Sequence, residues 1–204
     1  MTLPSPAASV FIRRAQPEED AQHVDEIFRI VNTAYRSNAS WTHESHLIKD
    51  YRISKEGIIQ LLNDKVKVLL LAFDRESGRV LGTAELDPAE SSNELDDYKS
   101  EGDNAPTYIE SLPKDRLVYL GLLSIDPDYQ SKGLGRKMVE AALNYAKETL
   151  GRKQAVVTVL FQRPELSNWY KRLGFIDYGE KKAYPHPSTT LKDGVHFTVL
   201  RRAL

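Results

Sequence analysis

Apolar positions along the chain recur at two different spacings, and this predicts strands mixed with helices. Short runs rich in β-branched and aromatic residues predict strands. These runs lie at residues 9–14, 66–73, 79–86, 116–125, 154–161, 176–184 and 195–201. Helical spacing is found at residues 17–31, 54–62, 138–150 and 165–172. The pattern alone therefore predicts a mixed α/β fold.

Two segments interrupt this pattern. Residues 1–8 contain two prolines and are expected to form a loose tail, whereas residues 9–204 are expected to form one domain. Residues 87–115 form a long polar insertion. Between Glu85 and Glu110 nine acidic residues stand against Lys99 alone, a net charge of −8. This insertion could be a solvated excursion between two strands or an electrostatic funnel for a cationic amine.

Charge and composition exclude several classes of protein. The formal net charge of −1 gives no reason to expect binding to nucleic acid or to an anionic membrane. The chain has no cysteine, which excludes disulfides, thiolate metal sites and a cysteine-linked acyl intermediate. We find neither the regions of a signal peptide nor an apolar stretch long enough to span a bilayer. A cytoplasmic or nucleocytoplasmic protein is therefore expected.

The most informative segment links a predicted strand to a predicted helix. The strand ends at Asp126-Pro127, and a turn with Gly133 and Gly135 leads into the helix. Backbone N–H groups and the positive end of the helix dipole then meet at one point, where an anion can bind. Full positive charges are added by Lys132, Arg136 and Lys137. The segment is predicted to bind phosphate.

Two familiar phosphate motifs do not fit this turn. The sequence contains no Walker string G-x-x-x-x-G-K-S/T. A dinucleotide fingerprint needs a third small residue where Met138 stands, and an acidic residue near Lys153 to Ala155. What remains is a Q-x-x-G-x-G pattern beginning at Gln130. A plain strand-to-helix turn with surface lysines and a nucleotide-binding domain remain open as alternatives.

A second string, at residues 165–175, reads as a short helix that ends at a glycine and is followed by a strand. It contains Tyr170, Gly174 and Phe175 in the pattern Y-x-K/R-x-G-F. Glycine suits the left-handed position that ends many helices, and the aromatic residue after it returns the chain to the core. One predicted helix and one predicted strand separate this string from the first.

Together the two strings resemble motifs A and B of the GNAT superfamily of N-acetyltransferases. The resemblance is specific over residues 116–175. It implies a central, mostly antiparallel twisted sheet of about six or seven strands, splayed at the motif A strand and flanked by about four helices. It also implies acetyl-coenzyme A as co-substrate, and no metal.

The resemblance further assigns roles to individual residues. It implies that Tyr170 is the general acid that protonates the departing thiolate. It implies that a bulge in the motif A strand contacts the pantetheine arm through Leu123, Ser124 and Ile125. The pyrophosphate contacts it implies fall on Gln130, Ser131, Lys132, Gly133, Leu134, Gly135, Arg136 and Lys137. The asparagine often found about seven residues before the tyrosine is missing, since residues 161–164 read Phe-Gln-Arg-Pro.

The general base and the acceptor pocket are less clearly marked. No acid occurs in residues 116–123, where several GNAT members carry their base. Glu85 on the preceding strand is the best replacement, ahead of His43, Glu44, His46 and a water chain. The spacing of these histidines is not that of an H-E-x-x-H zinc site. By their places in similar proteins, the acceptor pocket is expected to include Trp41, Tyr184 and His186.

The resemblance predicts an enzyme that transfers an acetyl group from acetyl-coenzyme A directly to a primary amine in a ternary complex. The lack of cysteine favours this over a route through an acyl-enzyme. The acceptor could be a small molecule, a protein N terminus or a lysine side chain. A non-catalytic acyl-coenzyme A sensor remains the alternative. The sequence is equally compatible with a monomer and a homodimer.

Overall fold

The computed structural model describes residues 9–88, 99–100 and 114–204. The predicted tail and most of the acidic insertion lie outside these residues. The strands are β1 (Val10–Arg14), β2 (Val68–Asp74), β3 (Val80–Pro88), β4 (Lys99–Ser100), β5 (Leu117–Ile125), β6 (Gln154–Leu160), β7 (Ile176–Ala183) and β8 (His196–Ala203). They form one sheet in the order β1-β2-β3-β5-β6-β8-β7-β4. Only the β5–β6 pair is parallel.

The helices are α1 (Pro17–Asp20), α2 (Val24–Arg36), α3 (Lys55–Asn63), α4 (Leu134–Glu148) and α5 (Pro164–Arg172). The predicted mixed fold with a mostly antiparallel sheet is therefore confirmed, and α1 is only a single turn in front of α2. Helix α4 begins four residues earlier than the apolar spacing predicted. Gly133, directly before it, has a φ of 81°, and this left-handed residue marks the true start.

Strand β2 shows how the two faces of the sheet are covered. Its residues 68–73 are all buried, because one alternating set faces α4 and α5 while the other faces α2 and α3. Val68, Leu70 and Ala72 belong to the first core, together with Met138 of α4. Leu69, Leu71 and Phe73 belong to the second core, together with Ile30 of α2 and Ile58 of α3. The sheet is thus a central layer between helices.

The sheet splits in its middle, between β5 and β6. These strands pair only where residues 117–119 lie against residues 154–156, and they separate after Tyr119. Strand β5 also carries one extra residue relative to β3, because Gly121 lies opposite Glu85 while Ser124 lies opposite Thr83. Leu122 accommodates the bulge with a φ of 44°, and the Thr83 hydroxyl donates to its carbonyl at 2.6 Å. The expected splay at this strand is present.

Candidate active site

A cavity of about 1180 Å³ opens where β5 and β6 separate. Its wall brings together twelve of the predicted site residues: Trp41, Glu85, Leu123, Ile125, Gln130, Ser131, Gly133, Gly135, Arg136, Tyr170, Tyr184 and His186. Ser124, Lys132, Leu134 and Lys137 are not part of this wall. The reasons are local for three of them. Leu134 is buried in the core, the Ser124 hydroxyl donates to the Leu122 carbonyl, and Lys132 Nζ donates to the Asp128 carbonyl at 2.6 Å.

One end of the cavity is formed by the N terminus of α4. No side chain caps this helix, and its first turn contains no acidic residue. Its first N–H groups, which have no partner within a helix, therefore point outward with the positive end of the dipole. Ser131 and Gly133 both have left-handed backbone angles, with φ of 58° and 81°. Such a turn can bind a phosphate through its amides.

The two glycines of this turn serve different purposes. At Gly133 the left-handed backbone angle favours glycine. Crowding is not the reason, because an added Cβ would meet no atom within 4 Å. Gly135 has no such angle, and an added Cβ would lie 3.5 Å from Cζ2 of Trp169. Within the protein, an added Cβ would therefore make an ordinary contact at Gly135 and would meet open space at Gly133.

Gly133→Ala is expected to lower the affinity for acetyl-coenzyme A about tenfold, because relief of the backbone strain turns the amides away from the anion site. Stability should fall by about 1 kcal/mol from the left-handed alanine. Gly151→Ala is the matched control, since Gly151 follows α4, has a φ of 65° and is equally open. It should cost the same stability and leave affinity unchanged. Calorimetric titration of both variants checks this, and equal affinities would remove the turn from the binding site.

Both polar atoms of the Gln130 side chain form hydrogen bonds within the protein. Its side-chain oxygen accepts from the Trp41 N–H at 2.9 Å, and its Nε2 donates to the Ile125 carbonyl at 2.9 Å and to the Ser40 hydroxyl at 3.0 Å. The side chain therefore fastens the loop that carries Trp41 to the end of β5. The sequence could not show the contacts with Ser40 and Trp41, which lie about 90 positions away.

Tyr170 lies on α5 with 6% of its surface exposed. Its ring packs edge-on against Trp169, with centroids 4.9 Å apart, and against Phe175 at 5.3 Å. Burial raises the pKa of its phenol well above the usual value. In the part of the chain that the structure describes, no group hydrogen-bonds to its hydroxyl. The cavity thus contains a neutral O–H donor that is free to serve a ligand.

Glu85 lies on β3 directly opposite Gly121 of β5. A Cβ at Gly121 would come within 3.3 Å of Glu85 Oε2, so the glycine leaves room for the carboxylate at the bulge. Lys67 Nζ lies 3.4 Å from Glu85 Oε1 and 2.9 Å from Asp87 Oδ2. Burial raises the pKa of the Glu85 carboxyl, although Lys67 and Arg52 oppose that shift. A carboxylate of raised pKa is suited to accept a proton.

The other base candidates are placed less favourably. Glu44 is buried in ion pairs with Arg36 and Arg163, and Arg163 also donates to the Thr42 hydroxyl at 3.1 Å. These contacts join the loop before Glu44 to the start of α5. His43 and His46 stack edge to face at 5.6 Å and are not part of the cavity wall. Arg163 also stands where the family often has its asparagine, and the structure uses it for this network.

Glu44→Gln is expected to destabilise the fold by about 3 kcal/mol, because the buried guanidinium of Arg163 and the partly buried one of Arg36 lose their shared counter-charge. Glu140→Gln is the matched control. Glu140 pairs with Arg136 at 2.7 Å on the surface, where such pairs contribute about 0–1 kcal/mol. Denaturant unfolding compares the two. Equal losses would show that the Glu44 network is energetically ordinary.

The predicted acceptor residues Trp41, Tyr184 and His186 all line the cavity. Trp41 is 50% exposed, and Tyr184 packs against Phe197 with ring centroids 5.5 Å apart. His186 lies beside Tyr184 at 6.2 Å. The sequence missed further wall residues, among them Tyr35, Arg52, Lys67 and Tyr119. No local pattern marks them, since they come from separate elements.

No group of three His, Asp or Glu among the described residues is placed to hold a metal ion. None of the described helices is both long and apolar enough to cross a membrane.

Residues 24–175 match the model of the acetyltransferase (GNAT) family. The chain belongs to this family. The match contains the turn before α4, Glu85 and Tyr170, so the candidate site lies within the family region. The resemblance read from the two sequence strings is therefore confirmed, and the protein is an acetyltransferase of the GNAT type. No curated protein matches the sequence.

Solved structures of low sequence identity share the fold. A variant of the spermidine N-acetyltransferase SpeG from Vibrio cholerae has a TM-score of 0.62 at 14% identity, with 96% of this chain and 94% of that chain covered. The dodecameric spermidine N-acetyltransferase from the same organism gives 0.61 at 16%, covering 96% and 94%. A GNAT-family acetyltransferase from Streptococcus pneumoniae gives 0.57 at 16%, covering 96% and 99%. These neighbours support the GNAT fold.

Proposed function

We propose that this GNAT protein transfers an acetyl group from acetyl-coenzyme A directly to a primary amine, in a ternary complex. One observation carries the proposal. A single cavity holds an uncapped helix N terminus, the protonated hydroxyl of Tyr170 and the buried carboxylate of Glu85. These are an anion site, a proton donor and a proton acceptor, which acetyl transfer to an amine requires together.

The donor fits two features of the cavity. The amides at the start of α4 would hold its diphosphate, with Arg136 and Ser131 beside them. The edge of β5 beyond Tyr119, where the described β6 no longer pairs with it, would offer backbone groups to the pantetheine arm. Bound there, acetyl-coenzyme A supplies an acetyl group activated as a thioester, and transfer to an amine forms an amide and releases a thiol.

Two proton transfers accompany the reaction, one to Glu85 and one from Tyr170. Glu85 accepts a proton at its carboxylate oxygen from the attacking amine, since an ammonium has no lone pair. Tyr170 keeps its proton across the physiological pH range, because burial raises the pKa of its phenol. The phenol is therefore still protonated when sulfur begins to leave, and it donates this proton to the departing sulfur, which is released as a thiol. No acyl-enzyme is needed in a chain without cysteine.

A small-molecule amine is the acceptor class that we propose. The neighbours from Vibrio cholerae are spermidine N-acetyltransferases, which supports an acceptor of this size. The protein is proposed to work in the cytoplasm as a monomer or homodimer.

Three measurements test the proposed function. Calorimetry should detect binding of acetyl-coenzyme A, and ATP or NAD should not compete. Thiol release across an amine panel should then follow intersecting double-reciprocal kinetics, with no acetylated protein seen by mass spectrometry. Binding of acetyl-coenzyme A without thiol release from any amine would instead favour an acyl-coenzyme A sensor. Absence of binding would overturn both readings.

A further inference from the structure

Arg52 is held firmly at the cavity wall. Its backbone N–H donates to the Asn32 side-chain oxygen at 2.7 Å, and Asn32 Nδ2 donates to the carbonyls of Phe28 and Ile53 at 3.0 Å. Asn32 is itself buried on α2. The Arg52 guanidinium then lies over the ring of Tyr35, with its central carbon 5.3 Å from the ring centre. The position of this cation is therefore set by α2.

Arg52 differs from its neighbours in how its charge is balanced. Four cations of the wall are at least partly buried: Arg36, Arg52, Lys67 and Arg163. Arg36 and Arg163 pair with Glu44, and Lys67 pairs with Glu85 and Asp87. Within the described residues, Arg52 forms no ion pair with a carboxylate. It is the one partly buried cation of the wall that has no carboxylate ion pair within the described residues.

A charge away from water is unfavourable unless a partner satisfies it. Tyr35 compensates part of the Arg52 charge, and Glu44 and Glu85 stabilise it from a distance, but no carboxylate of the described residues forms an ion pair with the guanidinium. A planar guanidinium matches a carboxylate in two parallel hydrogen bonds, which is the strongest common arrangement for this group. Arg52 also lies near Glu85, close enough for each charge to affect the other.

We infer that the acceptor is an amine that also carries a carboxylate, as amino acids do, and that Arg52 binds this carboxylate. The inference rests on the proposed N-acetyltransferase function. The carboxylate at Arg52 would direct the amino group of the same molecule to Glu85, where it loses its proton. Arg52 thereby determines specificity, and the group transfer remains that described above.

A polyamine fits this wall less well. Glu44, Glu85 and Asp87 already have cationic partners, while Asp50 and Asp64, which also line the wall, form no ion pair within the described residues. A second ammonium group placed beside Arg52 would be repelled, because like charges repel. The acceptor would then differ from spermidine, the substrate in the names of the neighbours. The difference lies in one residue that can be changed.

The experiment uses pairs of acceptors that differ only in the carboxylate: phenylalanine with phenethylamine, tryptophan with tryptamine, and ornithine with putrescine. For the full chain, kcat/KM should be at least tenfold higher for the carboxylated member of at least one pair. Arg52→Gln should remove that preference through KM, and Arg52→Lys should restore part of it. Arg14→Gln is the matched control, because Arg14 is exposed at the end of β1 and lies outside the cavity wall.

A second readout does not need turnover. The N-acetylated products of each pair are titrated calorimetrically into the protein with coenzyme A present, and the carboxylated product should bind at least tenfold tighter. Preference for the decarboxylated member in every pair, or a preference that survives in Arg52→Gln, would overturn the inference. An altered pH profile in Arg52→Gln with unchanged preference would also overturn it, since Arg52 would then act only on Glu85. Failure to bind acetyl-coenzyme A would instead defeat the proposed function itself.

Discussion

Tyr170→Phe is expected to lower kcat by a factor of at least about 100, the usual contribution of a positioned proton donor. Phenylalanine keeps the edge-on contacts with Trp169 and Phe175, so the loss should come from the hydroxyl alone. The hydroxyl bonds to no described group of the protein, and stability should therefore change little. Affinity for acetyl-coenzyme A should stay within about twofold. Steady-state kinetics with thiol detection and calorimetry give the two values.

The control for this substitution is Tyr145→Phe. Tyr145 lies on α4, packs partly buried against the same core, and does not line the cavity. It loses the same hydroxyl and should keep wild-type kcat. A Tyr170→Phe enzyme with full turnover would remove Tyr170 from its proposed role as acid. A parallel loss in the two variants would point to core packing instead.

Glu85→Gln is expected to have the second-largest effect, a fall in kcat/KM of about 100-fold near neutral pH. Burial raises the pKa of this carboxyl, and a base acts only when it is deprotonated. Wild-type kcat/KM should therefore rise with pH through the raised pKa and then level off. Glutamine cannot accept the proton, so the rising limb should disappear from the profile of the variant. Initial rates from acid to mildly alkaline pH measure both profiles.

Asp87→Asn tests whether the pH dependence comes from Glu85 itself or from the charges around it. Glu85 and Asp87 both pair with Lys67, so each substitution removes one counter-charge from the same lysine. Only Glu85→Gln should lose the rising limb. If Asp87→Asn loses it equally, the pH dependence belongs to the Lys67 cluster. If Glu85→Gln keeps it, a water chain or another group accepts the proton.

Hydrogen bonds of Gln130 and the ion pairs of Glu44 connect the elements that surround the cavity. Gln130 fastens the Trp41 loop to β5, and Arg163 with Glu44 fastens it to α5, which carries Tyr170. The loop is thus anchored at both sides of the split in the sheet. Preorganised supports of this kind keep catalytic groups in place without further ordering when substrate binds. Arg163 stands at a position where the family often has an asparagine that contacts the cofactor. In this chain Arg163 instead pairs with Glu44 and donates to the Thr42 hydroxyl.

Local patterns in the sequence determined the elements and the proposed anion site. Period-two and helical spacing placed the strands and helices within a few residues, because burial of one face depends on neighbours two to four positions apart. The strand, the turn with Gly133 and the helix after it are contiguous, so the proposed phosphate site could be predicted from one segment of the sequence. Tyr170 was found in the same way, from the short helix that ends at Gly174.

Only the tertiary structure decided what each of these groups meets. The bulge at Leu122 is defined by the register shift between β3 and β5. The Thr83 hydroxyl on the neighbouring strand donates to the Leu122 carbonyl. The ion pairs of Glu44 and Lys67, and the lack of one at Arg52 among the described residues, depend on side chains brought together from separate elements. The charge balance of the cavity and the register of the strands depend on contacts between residues that are distant in the sequence, and local spacing does not encode such contacts. The cavity and the position of Arg52 in its wall therefore emerge only when the sheet and its helices are assembled.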